Sequence, residues 1–147
     1  QRQMCIRDRP MMAQIVTMGL WLTVLSFVFL KLPVFDTLFE SMEQKLSAYF
    51  VLFIWSALFN AFNVRSDQFD IFKDLKLNPG FMRVFLIIVL VQAFIVNAAL
   101  IPVPVFAWIS NMFSCVPFPP AGWAAAILLA LTMIPVDLIR KAVVNRK

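Results

Sequence analysis

The chain has 147 residues, of which 62% are hydrophobic and only 14% charged, with a formal net charge of +5 and no histidine. That balance excludes an ordinary soluble domain, whose apolar share is roughly half. It also removes the commonest metal ligand and general base. No charged residue lies between Val84 and Val136, and no water-soluble fold could expose such a stretch. The composition therefore predicts an integral membrane protein. The basic excess fits helix ends at a membrane surface, and without a clustered basic patch no nucleic-acid partner is read.

In chain order, Gln1 to Pro10 stands apart. The string QRQMCIRDR resembles a translated sequencing-adapter scar. Residues 1–10 are read as an artefact or unstructured lead-in, and 11–147 as the domain, with the protein expected to begin upstream. Met11 to Leu30 is uncharged and long enough to cross ~30 Å of hydrocarbon. Lys31 to Lys45 reads as a connection: Pro33 ends the helix and the charges hold the segment in water.

Leu46 to Val64 is the second span and carries the stretch FNAFNVR at its end. Ser56, Asn60 and Asn63 follow an i, i+4, i+7 spacing, which puts them on one helical face. Polar groups at hydrocarbon depth are costly unless they meet other helices. This face is therefore predicted to pack inward, with lipid-facing members among Phe50, Phe53 and Phe62. Arg65 marks the return to water.

Arg65 to Pro79 reads as a polar connection, with Phe69 and Phe72 dipping into the membrane interface. Gly80 to Ile101 is the third span, with Arg83 as an anchor near its start and Gln92 and Asn97 inside. Pro102 to Gly122 is a proline-rich, aromatic loop in which Val105 to Phe113 is predicted as a short interfacial helix. Trp123 to Ile139 is the fourth span. Pro135 should bend it, because the ring removes a backbone donor and crowds the Leu131 carbonyl. Asp137, at the helix end, can pair with Arg140 across one turn. Arg140 and Lys141 complete the anchors. Cys5 and Cys115 are far apart and unpatterned, so no disulfide or metal role is read.

The predicted fold class is all-α and integral to the membrane: a bundle of four transmembrane helices with short loops. Of the 13 basic residues, Lys31 and Lys45 fall on one side of this topology and the other 11 on the opposite side. Both termini are therefore expected in the cytoplasm. No nucleophile–base pair, phosphate loop or metal-ligand cluster is present, so no catalytic or metal-binding residue is assigned. Ser56, Asn60, Asn63 and Gln92 are read as hydrogen-bonding groups between helices, worth about 0.6 to 2 kcal/mol each.

FNAFNVR, with Phe72, Asn78, Phe81 and Val91-Gln92 after it, resembles the end of the eighth membrane helix of P-type calcium-transporting ATPases and the segment beyond that helix. Ile134-Pro135-Val136-Asp137-Leu138-Ile139-Arg140-Lys141 resembles the last helix of bacterial pumps of the plasma-membrane calcium type. Phe29-Leu30-Lys31-Leu32-Pro33 is similar to the exit of their seventh. The resemblance covers Met11 to Lys147 and implies helices seven to ten of a ten-helix pump, again with a cytoplasmic C-terminus.

The resemblance implies a parent enzyme in which ATP, with Mg, phosphorylates an aspartate in a DKTGT loop and ions bind between helices four, five, six and sometimes eight. Neither that loop nor helices four to six are in this sequence. The chain is expected to hold no cofactor and to pack against lipid and the pump's remaining helices and cytoplasmic domains, in a bacterial plasma membrane. Ala57 stands where two-ion members hold a calcium-ligating glutamate, which implies transport of a single ion. The alternative is a stand-alone small helical membrane scaffold or subunit with no catalysis. A secondary-transporter half is disfavoured, because no span carries a buried charge or a glycine break.

Overall fold

A backbone in hydrocarbon has no water to bond, so each apolar run satisfies its own amides by coiling. The computed structural model describes the backbone of residues 2–65 and 79–144 and the side chains of 11–64 and 79–143. Seven α-helices lie among them: α1 (Arg2–Lys31), α2 (Pro33–Asp36), α3 (Met42–Arg65), α4 (Pro79–Asn97), α5 (Pro104–Met112), α6 (Pro120–Leu131) and α7 (Met133–Val144). A 3-10 turn, Ala98–Leu100, extends α4. Four stretches are long and apolar enough to cross a membrane: Met11–Lys31, Met42–Val64, Pro79–Leu100 and Pro120–Val143. The fold is all-helical among the described residues, as the composition requires.

The expected boundaries shift in places. The backbone is helical from Arg2, so the lead-in continues α1 through Pro10. The second span starts at Met42 rather than Leu46, and the fourth at Pro120 rather than Trp123. Proline suits the first turn of a helix, where its missing N–H would have no partner anyway. The loop of five prolines therefore opens the last helix as well as breaking the previous one. Its short helix is α5, as predicted. The connection with Asp67, Phe69, Asp70, Phe72, Lys73, Asp74, Lys76 and Asn78 lies outside the described residues, as do the side chains of Cys5 and Arg65.

α3 is the centre. Half of its span is buried (50%), against 17% for the α1 and α4 spans. It packs most extensively on α6 and also touches α1, α4 and α7. Gly122, Ala126 and Ala130 form a buried i, i+4, i+8 stripe on α6. Small residues at that spacing let two membrane helices approach closely. The buried core of the bundle includes Phe29 of α1, Val51 and Leu52 of α3, Val96 of α4 and Met133 of α7. α4 is joined to α3 by rings: Phe62 lies 4.8 Å from Phe81 and 5.0 Å from Phe85, and Trp55 lies 6.0 Å from Phe85, between centroids.

The fourth span breaks at Thr132, between α6 and α7. Pro135 is the cause: it has no N–H for the Leu131 carbonyl, as the sequence predicts. The Thr132 hydroxyl folds back onto the Leu129 carbonyl at 2.6 Å and accepts a bond from Trp21 Nε1 at 3.0 Å. α1 is thereby tied to the break.

The connection between α1 and α3 is mostly exposed, as expected, but its last residue is not. Lys45 is buried, donating to the Leu30 carbonyl at 2.8 Å and pairing with Asp36. A cation at the C-terminal carbonyls of α1 also suits the helix dipole. At the same end, Ser47 Oγ accepts from the Val116 N–H at 2.8 Å and pins the loop after α5 to α3. That loop opens with Ser114 in the left-handed region, φ 51°. The Ser114 N–H donates to the Asn111 carbonyl and the Cys115 N–H to the Ser110 carbonyl, both at 3.0 Å. These two bonds close a Schellman cap, with serine where glycine is usual. Burial pushes the Cys115 thiol up from its ordinary pKa.

Gly122 has no room for a side chain. A Cβ there would stand 2.5 Å from the Phe39 ring and 2.9 Å from that of Phe118. Gly122→Ala is expected to destabilise the protein by about 1–3 kcal/mol through overpacking. Thermal unfolding in detergent checks this, and an unchanged midpoint would count against the close packing of Gly122 against the Phe39 and Phe118 rings.

Candidate functional site

The polar face of α3 divides between two environments. Asn63, at the end away from Lys45, is buried and donates Nδ2 to the Met133 carbonyl at 2.9 Å, just past the helix break. Its own carbonyl accepts from Lys141 Nζ at 3.2 Å. Orphan carbonyls in the last turn of a helix want such a donor. Lys141 also reaches Asp137 Oδ2 at 2.8 Å, and Arg140 holds Oδ1 at 2.8 Å. The Asp137–Arg140 pair is present as the spacing predicts.

Asp137 is not at a helix end, however: it lies inside α7 and is 0% exposed. A charge so placed is tolerable only when paired and hydrogen-bonded. Arg140 and Lys141, expected as anchors, both turn inward to supply that pairing. Arg83 is exposed on α4.

Gln92 is buried between helices, with Nε2 3.4 Å from the Phe50 carbonyl. Ser56 is buried, Asn60 half-buried and Ala57 exposed; all three line a groove between α1 and α3. Of the three phenylalanines considered for lipid exposure, Phe53 faces outward and Phe50 and Phe62 are partly covered. Several other polar residues in the spans bond only their own helix: Thr23 to the Gly19 carbonyl and Asn97 to that of Ala93. Sequence reasoning missed two donors, Trp21 and Tyr49, the latter reaching Ser26 Oγ at 3.2 Å. Both are aromatic residues with a polar tip, which usually finds a partner when buried.

Among the described residues no group of three or more His, Cys, Asp or Glu lies together. What α3 offers is neutral: hydroxyls, amides and backbone carbonyls at hydrocarbon depth. This is a multi-pass membrane bundle in which Asn63 and Gln92 join helices, while Ser56 Oγ and Asn60 Oδ1 are buried without a hydrogen-bond partner. Comparison with known families makes the class specific. Residues 1–143 match the family described as cation transporting ATPase, C-terminus, and the chain belongs to that family. No curated protein and no solved structure matches it.

The seam between α3 and α7 is expected to carry much of the stability of this end. Asp137→Asn, which leaves two cations facing a neutral side chain, should cost about 3 kcal/mol. Thermal unfolding of the purified protein measures it. A loss of under about 0.5 kcal/mol would show the cluster to be solvated instead.

Proposed function

We propose that the chain is the C-terminal membrane domain of an ATP-driven calcium pump of the plasma-membrane type, in a bacterial plasma membrane. The observation that carries this reading is family membership over residues 1–143 together with four membrane-length helices. The FNAFNVR and IPVDLIRK strings favour calcium within that family. In this reading both termini are cytoplasmic, which agrees with the bias of 11 basic residues against Lys31 and Lys45.

The domain's work is mechanical. ATP and Mg act on other parts of the pump, and calcium is the transported substrate. The bundle gives the transport helices a rigid wall. That rigidity rests on the α3–α6 contact and on the Asn63–Asp137–Lys141 seam. Lipid covers the apolar outer faces of α1 and α4, where Ile15, Leu20, Phe27, Leu86, Ile87 and Leu90 are exposed.

Ala57 sets the ion count. Calcium takes six to eight oxygen ligands, and a methyl group supplies none. With alanine where two-ion members carry a glutamate, the complete pump carries one ion per cycle. Calcium binding to the full-length pump without ATP, divided by the phosphorylation sites counted with labelled ATP, should give one. A ratio of two would overturn the stoichiometry. ATP-dependent uptake of another cation, with none of calcium, would overturn the calcium assignment.

A further inference from the structure

α5 and the turns beside it are held lower than a loop passing over the bilayer would be. The Phe106 ring packs against Phe94 of α4, 5.6 Å between centroids and nearly perpendicular. Ser110 Oγ donates to the Ile95 carbonyl at 2.8 Å. On the other side, the Val116 N–H donates to Ser47 Oγ of α3 at 2.8 Å. Ile95 lies five residues inside the end of its span at Leu100, and Ser47 five residues inside the start of its span at Met42. At a rise of 1.5 Å per residue, both stand about 8 Å below those ends. We infer that residues 101–116 form a re-entrant lipid-binding element, with the face of Val105, Trp108 and Met112 sunk into the acyl chains just beneath the headgroups at that end of the bundle. The inference uses the membrane fold alone and stands apart from which ion the pump carries.

The surface fits lipid. Val105, Trp108 and Met112 follow an i, i+3, i+7 spacing and all three are exposed. Asn111 is the only polar residue exposed on α5. No charged residue lies between Val84 and Val136, so the face suits neither water nor a partner held by ion pairs. It continues the outward face of α4 through Phe94, which is itself exposed beside Phe106. The lipid that covers α4 therefore runs on over α5. A tryptophan suits this depth, since its ring is apolar and its N–H reaches for the headgroups.

The backbone is prepared for a place poor in water. Outside α5, every N–H from Ile101 to Val116 is bonded or missing. Ile101 donates to the Ala98 carbonyl, Val103 to that of Ile101 and Phe113 to that of Ile109. Ser114, Cys115 and Val116 donate within the cap and to Ser47. Pro102 has no N–H to satisfy. A loop in water has no such requirement, because solvent bonds whatever the chain leaves over. The remaining carbonyls of the turns set the lower limit, for headgroup water can reach them and hydrocarbon cannot bond them. Both limits place α5 at the headgroup–acyl boundary, where interfacial helices bury an apolar face by roughly 5–10 Å.

Depth-dependent fluorescence quenching of the full-length pump in phosphatidylcholine vesicles tests this. Dansylalanine is introduced at Met112 in one variant, at Trp108 in a second, and in a third at Glu40, exposed in the connection between α1 and α3. Met112 is exposed, so the probe there disturbs no packing and reads the same face if the Trp108 variant fails to fold. Lipids carrying a nitroxide near the top of the acyl chain are expected to quench the two α5 probes severalfold more than lipids with a headgroup nitroxide. Aqueous iodide should leave these probes unquenched while it quenches the Glu40 probe. Adding phosphatidylglycerol should change neither reading, because the face carries no charge. Iodide quenching as strong as at Glu40 would make the segment an aqueous loop. Stronger quenching from the headgroup label would place α5 on top of the membrane. Quenching by neither lipid nor iodide would mean that a protein covers the face, and a shift with phosphatidylglycerol would mean that headgroup charge is recognised. Each of these four results would overturn the inference.

Discussion

The bundle depends on one residue bonded in two directions. Asn63 gives its amide to the Met133 carbonyl at the start of α7 and takes Lys141 on its own carbonyl. Without that double attachment the last span, two helical pieces joined at Thr132, would lose two of its hydrogen bonds to α3. In a bilayer apolar contact has little driving force, because lipid tails are as apolar as the side chains they would displace. Close packing and a few well-placed hydrogen bonds must then determine which helices stay together. Here close packing comes from the Gly122–Ala126–Ala130 stripe, and direction comes from the seam at Asn63.

The buried ion cluster belongs to the same logic. Asp137 is surrounded by protein, and its charge is matched by Arg140 and Lys141 from the following turn. Lys141 also reaches the Asn63 carbonyl of α3. It converts a local pairing on one helix into a link between two. At the other end of α3, Lys45 does similar work by holding the last carbonyls of α1. A lysine thus links α3 to a neighbour at each end: its own Lys45 on the Leu30 carbonyl of α1, and Lys141 of α7 on the Asn63 carbonyl.

Much of this was legible in the sequence. Hydrophobic run length gave four spans, and the i, i+4, i+7 pattern placed Ser56, Asn60 and Asn63 on one face. Pro135 announced the break. What could not be read was which neighbour each polar group meets. Lys45 and Asp137 look like residues at a water boundary because charge usually stops at the membrane surface; their burial depends on how the helices pack around them. The stripe on α6 was readable in principle from its four-residue spacing, but alanine and glycine are so common in membrane helices that only packing distinguishes it. The open groove is of another kind, for it shows itself only once the folded helices reveal which polar atoms are left without partners.

The central claim is that the two bonds at Asn63 act together as one lock between α3 and the last helix. A double-mutant cycle with Asn63→Leu and Lys141→Met, read by thermal unfolding of the full-length protein in detergent, tests it most directly. Losing either bond should loosen the other, giving a coupling of about 1 kcal/mol, within the range for residues in one network. Additive costs, with coupling indistinguishable from zero, would show two independent contacts and contradict the account.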